Sequence, residues 1–292
     1  MLKLRRILTL TGNTITQLLR MKILFFLLVF CVLVVAAAFA FPAMSEQQQL
    51  KLLKDVSFGA LQVFAVVIAI VATALLIPKD MEDRTLYTIL AKPVPRIDYL
   101  LGKYFGVLTL ILAGLVLMDI AFSGVLYLRQ QMVLTDAIGW LQHQQQGRAD
   151  AASIAALTSD INAQGLTWPL HAAVWAIFMK AAVVAALALL ISTIASSTLF
   201  TIVSTFCFLI IGHGQGLFRD YFFSGGISRT DYALSALLAV VCPDLGLFDM
   251  VDPILEGHVP AFRDLLTMTG LGALYITGYL VVTHLLFVEK EL

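Results

Sequence analysis

Two charged residues stand alone inside long apolar runs. Asp119 is the one charge between Tyr104 and Leu128, and Lys180 is the one charge between His171 and Ile194. An unpaired charge near the centre of a bilayer costs roughly 3 kcal/mol. Each residue lies about 14 Å along its helix from the same membrane surface, at 1.5 Å per residue. We therefore predict that Asp119 and Lys180 pair, within one subunit or across a dimer; the alternatives are a snorkelling Lys180 and a protonated Asp119.

A charged segment connects two apolar runs at residues 77–106. Asp80 is a candidate helix N-cap, with Asp83 three residues later as a weak capping-box acid. The helix should end near Lys92, because the residue before Pro93 is pushed out of the helical region. A second helix should start around Pro95–Arg96. One side of the first helix would carry Met81, Thr85, Leu86, Ile89 and Leu90. This pattern predicts a short amphipathic helix that lies flat on a membrane face.

The sequence lacks the motifs of a catalytic site. No GxxxxGK[ST] loop is present, so another polypeptide must bind any ATP that the protein uses. The five histidines occur singly, and the three cysteines lie far apart without a CxxC pair, which supports neither a metal site nor a disulfide framework. The net charge of zero gives no argument for nucleic-acid binding. We expect no enzyme activity, metal or cofactor of the chain's own.

The composition indicates the elements that must hold these residues. The chain of 292 residues is 60% hydrophobic and 13% charged, with mean hydropathy +0.92, whereas a soluble protein carries about 25% charged residues. We predict an all-α polytopic membrane protein with a single domain over 1–292. Six apolar runs are candidate transmembrane helices: 23–41, 57–77, 102–128, 171–194, 198–218 and 265–288. The first run also resembles a cleaved signal peptide, although it is long enough to cross a membrane.

The remaining segments are expected outside the bilayer or at its surface. Residues 4–20 have helical periodicity with a basic face, which predicts an N-terminal interfacial helix. Pro42–Asp55 reads as a polar loop, and Pro78 is expected to end the second span. Residues 129–169 form an external insertion, with an amphipathic helix near 150–163. A tight turn at 195–197 should separate the fourth and fifth spans.

The region 219–263 should lie on the external side. Its apolar stretch Tyr232–Val241 is too short to cross the membrane, and Pro243 follows it. We predict a re-entrant or interfacial helix, followed by a loop through Asp244, Asp249 and Asp252.

The distribution of basic residues predicts the orientation. With the N-terminus in the cytoplasm, the inner segments hold eleven of the nineteen lysines and arginines, and the longer outer segments hold seven. We therefore expect an inner-membrane protein with both termini in the cytoplasm. This orientation also places the charged segment in the cytoplasm.

The charged segment closely resembles the loop between the second and third membrane helices of ABC-2 type permeases, the membrane subunits of ATP-binding-cassette transporters. The resemblance rests on Glu82 with Arg84-Thr85-Leu86, on 90–96 and on 101–106. The sequence of this segment is most similar to the branch that includes the nitrous-oxide-reductase maturation permease. The resemblance implies a coupling helix that docks on a separate ATPase subunit, and a broken element before the last span. An ordinary charged cytoplasmic loop is the other interpretation.

The resemblance implies particular residues and partners. The residues expected to transmit the movement of the ATPase are Glu82, Arg84, Thr85, Leu86, Ile89 and Leu90. The permease would act in the lipid bilayer as a homodimer, or with a paralogous permease, and with two ATP-binding partner subunits. Gly102 and Gly106 form a GxxxG pair that permits close helix packing.

Two classes of function follow. The first is an ABC transporter permease that drives export or mechanical work, and the second is an ATPase-independent secondary carrier or assembly scaffold. A carrier would be expected to show inverted repeats or several buried ionisable groups, and only Asp119 and Lys180 are obvious here. The family handles polysaccharides, lipids, peptides and drugs, or supports metalloenzyme maturation. No grouping of Met or His in the sequence would bind copper.

Overall fold

The computed structural model describes residues 2–20, 24–39, 46–82, 95–144, 150–195, 197–223 and 242–289. In these ranges the chain is helical and contains no strand, as the composition predicts. The helices are α1 (Leu2–Leu19), α2 (Leu24–Phe39), α3 (Glu46–Glu82), α4 (Arg96–Gln144), α5 (Ala151–Ala163), α6 (Trp168–Ile194), α7 (Thr198–Phe223), a 3-10 helix (Leu245–Phe248), α8 (Val251–Leu255) and α9 (Phe262–Glu289).

Five described helices, α3, α4, α6, α7 and α9, are long and apolar enough to cross a membrane. Helix α2, which falls in the first predicted span, has 16 described residues. That length gives about 24 Å, less than the roughly 30 Å of a hydrocarbon core. Five of the six predicted spans therefore correspond to described helices of sufficient length. The remaining span, predicted at 23–41, stays a prediction.

Helix α6 forms the centre of the bundle. Twenty of its 27 residues are buried, and many of them are alanines. Small side chains allow neighbouring helices to approach closely in a membrane protein. Helices α3, α4, α7 and α9 pack around α6, whereas much of the surface of α7 and α9 is apolar and exposed. That exposed apolar surface suits contact with lipid or with another protein.

The bundle has two ends, which we name by their connections. The loop face is the end at which α3 ends at Glu82 and α4 begins at Arg96. The turn between α6 and α7 also lies there, with Ala195 and Ser197 outside the helices as predicted. The far face is the opposite end, where α3 and α9 begin and where α5 lies.

Helix α3 corrects three predictions. It begins at Glu46, so 46–55 is helix instead of a polar loop, and it continues through Pro78 to Glu82. A proline inside a helix removes one backbone hydrogen bond, and tertiary contacts can offset that loss. Asp80 does not cap a following helix, because it lies inside α3 and its side chain contacts α4.

Helix α4 is longer than the predicted span 102–128. It continues to Gln144, so the first part of the predicted external insertion 129–169 extends α4. No proline interrupts 129–144, which explains the continuation. The predicted amphipathic helix near 150–163 corresponds to α5. Gln130 Nε2 of α4 donates a hydrogen bond of 2.8 Å to Asn162 Oδ1 of α5 and so holds the two helices together.

Candidate functional site

A buried polar cluster joins three helices at the loop face. Asp80 Oδ2 on α3 lies 2.7 Å from Lys103 Nζ on α4, with side-chain exposures of 7% and 3%. The hydroxyl of Tyr99 donates a hydrogen bond of 2.6 Å to the same carboxylate oxygen. Lys103 Nζ also donates to Gln17 Oε1 of α1 at 3.0 Å. We call these four residues, Asp80, Tyr99, Lys103 and Gln17, the loop-face cluster.

The sequence of α4 explains how the cluster forms. Tyr99 and Lys103 are four residues apart, so they lie on the same side of the helix. The ammonium of Lys103 sits 5.8 Å from the centroid of the Tyr99 ring. Lys103 therefore faces the ring, the Gln17 amide and the Asp80 carboxylate, which together replace the water that a buried ammonium loses.

The last turn of α9 joins the same region. The guanidinium of Arg96 donates hydrogen bonds to the carbonyl oxygens of Phe287 at 2.9 Å and Val288 at 2.7 Å. A cation at the C-terminus of a helix is stabilised by the helix dipole. The ring of Tyr99 stacks on the ring of Phe287, with centroids 6.0 Å apart and planes at 14°. The start of α4 is thus bound to α1, α3 and α9.

The GxxxG pair on α4 lies against α1. A Cβ atom added at Gly102 would be 2.5 Å from Leu10 Cβ, and one added at Gly106 would be 2.5 Å from Thr14 Cβ. Any larger residue would push α1 away. The hydroxyl of Thr11 donates to the carbonyl oxygen of Gly102 at 3.3 Å. The N-terminal helix predicted to be interfacial is therefore packed along α4.

A second ion pair lies deep in the bundle. Lys180 Nζ on α6 is 2.6 Å from Asp249 Oδ1, which follows the 3-10 helix. The side chain of Lys180 is 2% exposed and that of Asp249 is 41% exposed. Lys180 is about 18 Å along α6 from Trp168, the first residue of the helix at the far face. The segment that carries Asp249 therefore reaches far into the bundle.

Contacts with two helices hold this segment in place. Gln215 Nε2 of α7 donates a hydrogen bond of 2.8 Å to the carbonyl oxygen of Cys242. A Cβ added at Gly212 would be 2.7 Å from the carbonyl oxygen of Pro243, and one added at Gly272 of α9 would be 3.2 Å from the Phe248 ring. Both glycines thus make room for the segment. We call residues 242–250 the buried segment.

A family model for ABC-2 family transporter proteins matches residues 13–216, from α1 to α7. The chain belongs to the ABC-2 transporter family. Among curated proteins, none matches the chain significantly. Members of this family are membrane subunits of ABC transporters, so the resemblance in the 77–106 segment identified the family correctly. The similarity to the nitrous-oxide-reductase maturation branch stays a prediction.

In this ABC-2 permease most of the predicted coupling residues fall outside the described residues. They are Arg84, Thr85, Leu86, Ile89 and Leu90. Glu82 is the last residue of α3. The described chain stops at Glu82 and resumes at Pro95, and both ends adjoin the loop-face cluster. The predicted coupling helix stays a prediction, and the structure describes the positions between which it must run.

The predicted pair of Asp119 and Lys180 is wrong within one chain, because each has another partner. Asp119 Oδ2 lies 2.8 Å from Nδ1 of His171 at the start of α6. Lys180 is about 14 Å further along α6 than His171, which places it beyond the reach of Asp119. Since α4 continues to Gln144, position 128 does not mark its end, and a depth for Asp119 counted from that position is wrong. A single chain does not test the pairing across a dimer.

The true partners, His171 and Asp249, escape sequence reasoning for different reasons. His171 stands where the sequence predicts the end of a span, and the depth of Asp119 depends on a helix end that local pattern misplaces. Asp249 falls in a predicted external loop, because the acids at 244, 249 and 252 suggest solvent. Asp244 instead accepts a hydrogen bond from the backbone N–H of Gly246 and caps the 3-10 helix. The predicted re-entrant helix 232–241 lies outside the described residues.

No group of three or more histidine, cysteine, aspartate or glutamate residues could hold a metal ion within the part of the chain that the structure describes. The loop-face cluster instead consists of two charged residues with two neutral hydrogen-bonding neighbours, and Lys180 and Asp249 form an ion pair. This composition suits positioning of helices.

Proposed function

We propose that this ABC-2 permease couples ATP hydrolysis by a separate ATPase subunit to export, or to mechanical work across the membrane. The observation that carries the proposal is the position of the segment 83–94 between two ends that share the loop-face cluster. Asp80 lies three residues before the segment and Arg96 two residues after it. A force on the segment would act on α1, α3, α4 and α9 together.

The chemistry of the cluster favours transmission of force. Buried charge pairs resist separation, because each partner would lose its counter-ion in a dry environment. The Arg96 hydrogen bonds to the end of α9 add a second connection. The segment itself would dock on the ATPase through Glu82, Arg84, Thr85, Leu86, Ile89 and Leu90. ATP is bound by the partner, since the chain has no phosphate-binding loop.

The proposed function implies an orientation of the permease in the membrane and a subunit composition. The loop face is cytoplasmic, because the ATPase and its ATP are there, and both termini lie on that side of the inner membrane. Two copies of the chain, or this chain and a paralogous permease, pair with two ATPase subunits.

An ATPase-independent carrier is the second candidate. It is favoured by the Lys180–Asp249 pair, which lies beside two short helices instead of a continuous one.

The test is co-purification of an ATPase with the tagged chain from its native membrane. We expect the double change Leu86→Asp/Leu90→Asp to reduce the amount of co-purified ATPase and its ATP turnover at least about tenfold. A tenfold loss of affinity corresponds to about 1.4 kcal/mol of binding free energy. Apolar docking residues lose affinity when they become charged.

The control is Trp140→Asp, a single apolar-to-acidic change at an exposed position of α4 near the far face. It should leave co-purification at the level of the unchanged protein. If the unchanged chain brings down no ATPase, or if the double variant retains it fully, the carrier or scaffold function replaces the permease function.

A further inference from the structure

A cavity of about 480 Å³ opens at the far face. It lies where the first turns of α3, the connection between α5 and α6, and the turn after α8 meet. Its polar lining comes from Gln48, Lys51, Lys54, Gln164, Thr167, Glu256 and His258. None of these residues takes part in the loop-face cluster or in the Lys180–Asp249 pair.

Lys54 is the feature of this cavity that calls for a ligand. The residue is 8% exposed, no hydrogen bond or ion pair joins its ammonium to a described residue, and the ammonium reaches the open space of the cavity. The adjacent Asp55 is exposed. An ammonium in such an enclosed site loses part of its hydration and gains from a counter-ion. An anion in the cavity would supply one, since the described residues do not.

Two further sources of positive potential face the same cavity. Lys51 lies one turn before Lys54 on α3 and is exposed. The N-terminus of α6, a helix of 27 residues, contributes Thr167, whose side chain makes no capping hydrogen bond. The N-terminus of a helix attracts anions through its dipole. In the first turn of α6 the dipole is the main contribution, because Pro169 has no N–H and the N–H of Leu170 donates to the carbonyl oxygen of Thr167. Glu256 is the one acidic side chain in the lining and opposes this potential.

The surroundings place the cavity at the level of lipid headgroups. Lys54 lies three residues before Ser57, where the predicted span starts. Trp168 and Phe262 begin α6 and α9 at the same face, and both side chains are exposed. Aromatic residues are enriched where a membrane protein meets the headgroup layer.

We propose that this cavity binds the phosphate group of a membrane lipid, with Lys54 as its principal charge partner and Lys51 and the start of α6 as secondary ones. An ammonium group binds phosphate as a compact point charge. A free phosphate ion shares this chemistry and is separated from a lipid by the experiment. The assignment of the far face to the outer leaflet rests on the proposed function, whereas the site itself does not.

The experiment uses the full-length protein in nanodiscs of phosphatidylcholine, with and without phosphatidylglycerol. Native mass spectrometry then counts the phosphatidylglycerol retained by the released protein, and inorganic phosphate is titrated separately in detergent. We expect Lys54→Gln to weaken binding at least about tenfold, the loss of one hydrogen bond to a charged group. Lys54→Arg should retain binding, and Glu256→Gln should strengthen it.

The outcomes separate the sources. Retention of lipid without binding of the free ion identifies a lipid headgroup, and binding of the ion alone identifies a soluble phosphate compound. If the unchanged protein binds neither, or if Lys54→Gln binds as well as the unchanged protein, the proposal is overturned. If Lys54→Gln does not fold, Lys51→Gln and Glu256→Gln decide, and no effect in either overturns the proposal. The assay needs no ATPase, so its failure says nothing against the coupling function.

Discussion

The described part of the chain contains two lysine–aspartate pairs that differ in how far they are enclosed. Asp80 and Lys103 are both buried. Tyr99 donates a hydrogen bond to Asp80, and Gln17 accepts one from Lys103. Lys180 is equally buried, but its partner Asp249 is 41% exposed and directly follows a short 3-10 helix instead of lying within a long helix. The same two residue types thus form a closed cluster at the loop face and a half-open pair in the middle of the bundle.

The difference indicates what each pair does. The closed cluster joins three long helices, α1, α3 and α4, so separating its charges would require moving whole helices. The half-open pair joins α6 to the buried segment, which can move with less displacement of the bundle. We therefore expect the first pair to determine stability and transmission at the loop face. The second should determine whether the buried segment stays in place.

The largest effect is expected from Asp80→Asn. The change leaves Lys103 buried with no anionic partner in the loop-face cluster, and breaking a buried pair in this way costs about 3–5 kcal/mol. Thermal and denaturant unfolding in detergent should report the loss, together with a lower folded yield. Tyr99→Phe removes one hydrogen bond and should cost only about 1–3 kcal/mol.

The double change Asp80→Asn/Lys103→Met is the control for this pair. It removes both charges and should be more stable than Asp80→Asn, since no charge is then left alone. Strictly additive losses would show that the two charges do not stabilise each other and that the closed cluster is no different from the open pair.

The next effect is an asymmetry within the open pair. Asp249→Asn strands Lys180 in a dry site and should cost about 3 kcal/mol. Lys180→Met should cost clearly less, because methionine fills the apolar site and the carboxylate of Asp249 is already 41% exposed. Unfolding of the two variants under the same conditions measures the difference. Equal losses would mean that Asp249 is as enclosed as Asp80, and the contrast between the pairs would disappear.

The contrast between the two pairs also shows which features of the fold could be predicted from the sequence. The loop-face helices were predictable because apolar periodicity, the start at Arg96 and the Gly102/Gly106 spacing are local signals. The predicted stop at Pro78 was wrong, because a contact with α4 outweighs the effect of one proline. Such a contact is invisible to local pattern, since it depends on the approach of two helices.

The open pair could not be found by the same reasoning. Depth along a span is counted from predicted ends, and α4 runs sixteen residues past the predicted end at Leu128. The acids of 244–252 favour a solvent loop by composition, yet the apolar residues between them, Leu245 and Phe248, are buried among α6, α7 and α9. A short 3-10 helix has no sequence period long enough to reveal which side it buries.

The smallest effects concern the glycines beside each pair and test whether the loop face is the more rigid region. In Gly106→Ala the new Cβ would lie 2.5 Å from Thr14 Cβ, next to the backbone of α1. In Gly272→Ala it would lie 2.7 Å from Met179 Cε, the flexible end of a side chain. Overpacking against a fixed neighbour costs about 1–3 kcal/mol, whereas a methionine tip can rotate away.

We therefore expect Gly106→Ala to lower the free energy of unfolding by about 1–3 kcal/mol and Gly272→Ala by less than about half as much. Gly124→Ala on α4 is the matched control, because a Cβ added there would have no atom within 4 Å and alanine favours helix by up to about 1 kcal/mol. It should be neutral or stabilising. A larger loss for Gly272→Ala than for Gly106→Ala would reverse the order of rigidity, since the buried segment would then tolerate less displacement than α1. The closed cluster would in that case owe its enclosure to its hydrogen bonds alone, and tight helix packing at the loop face would have no part in it.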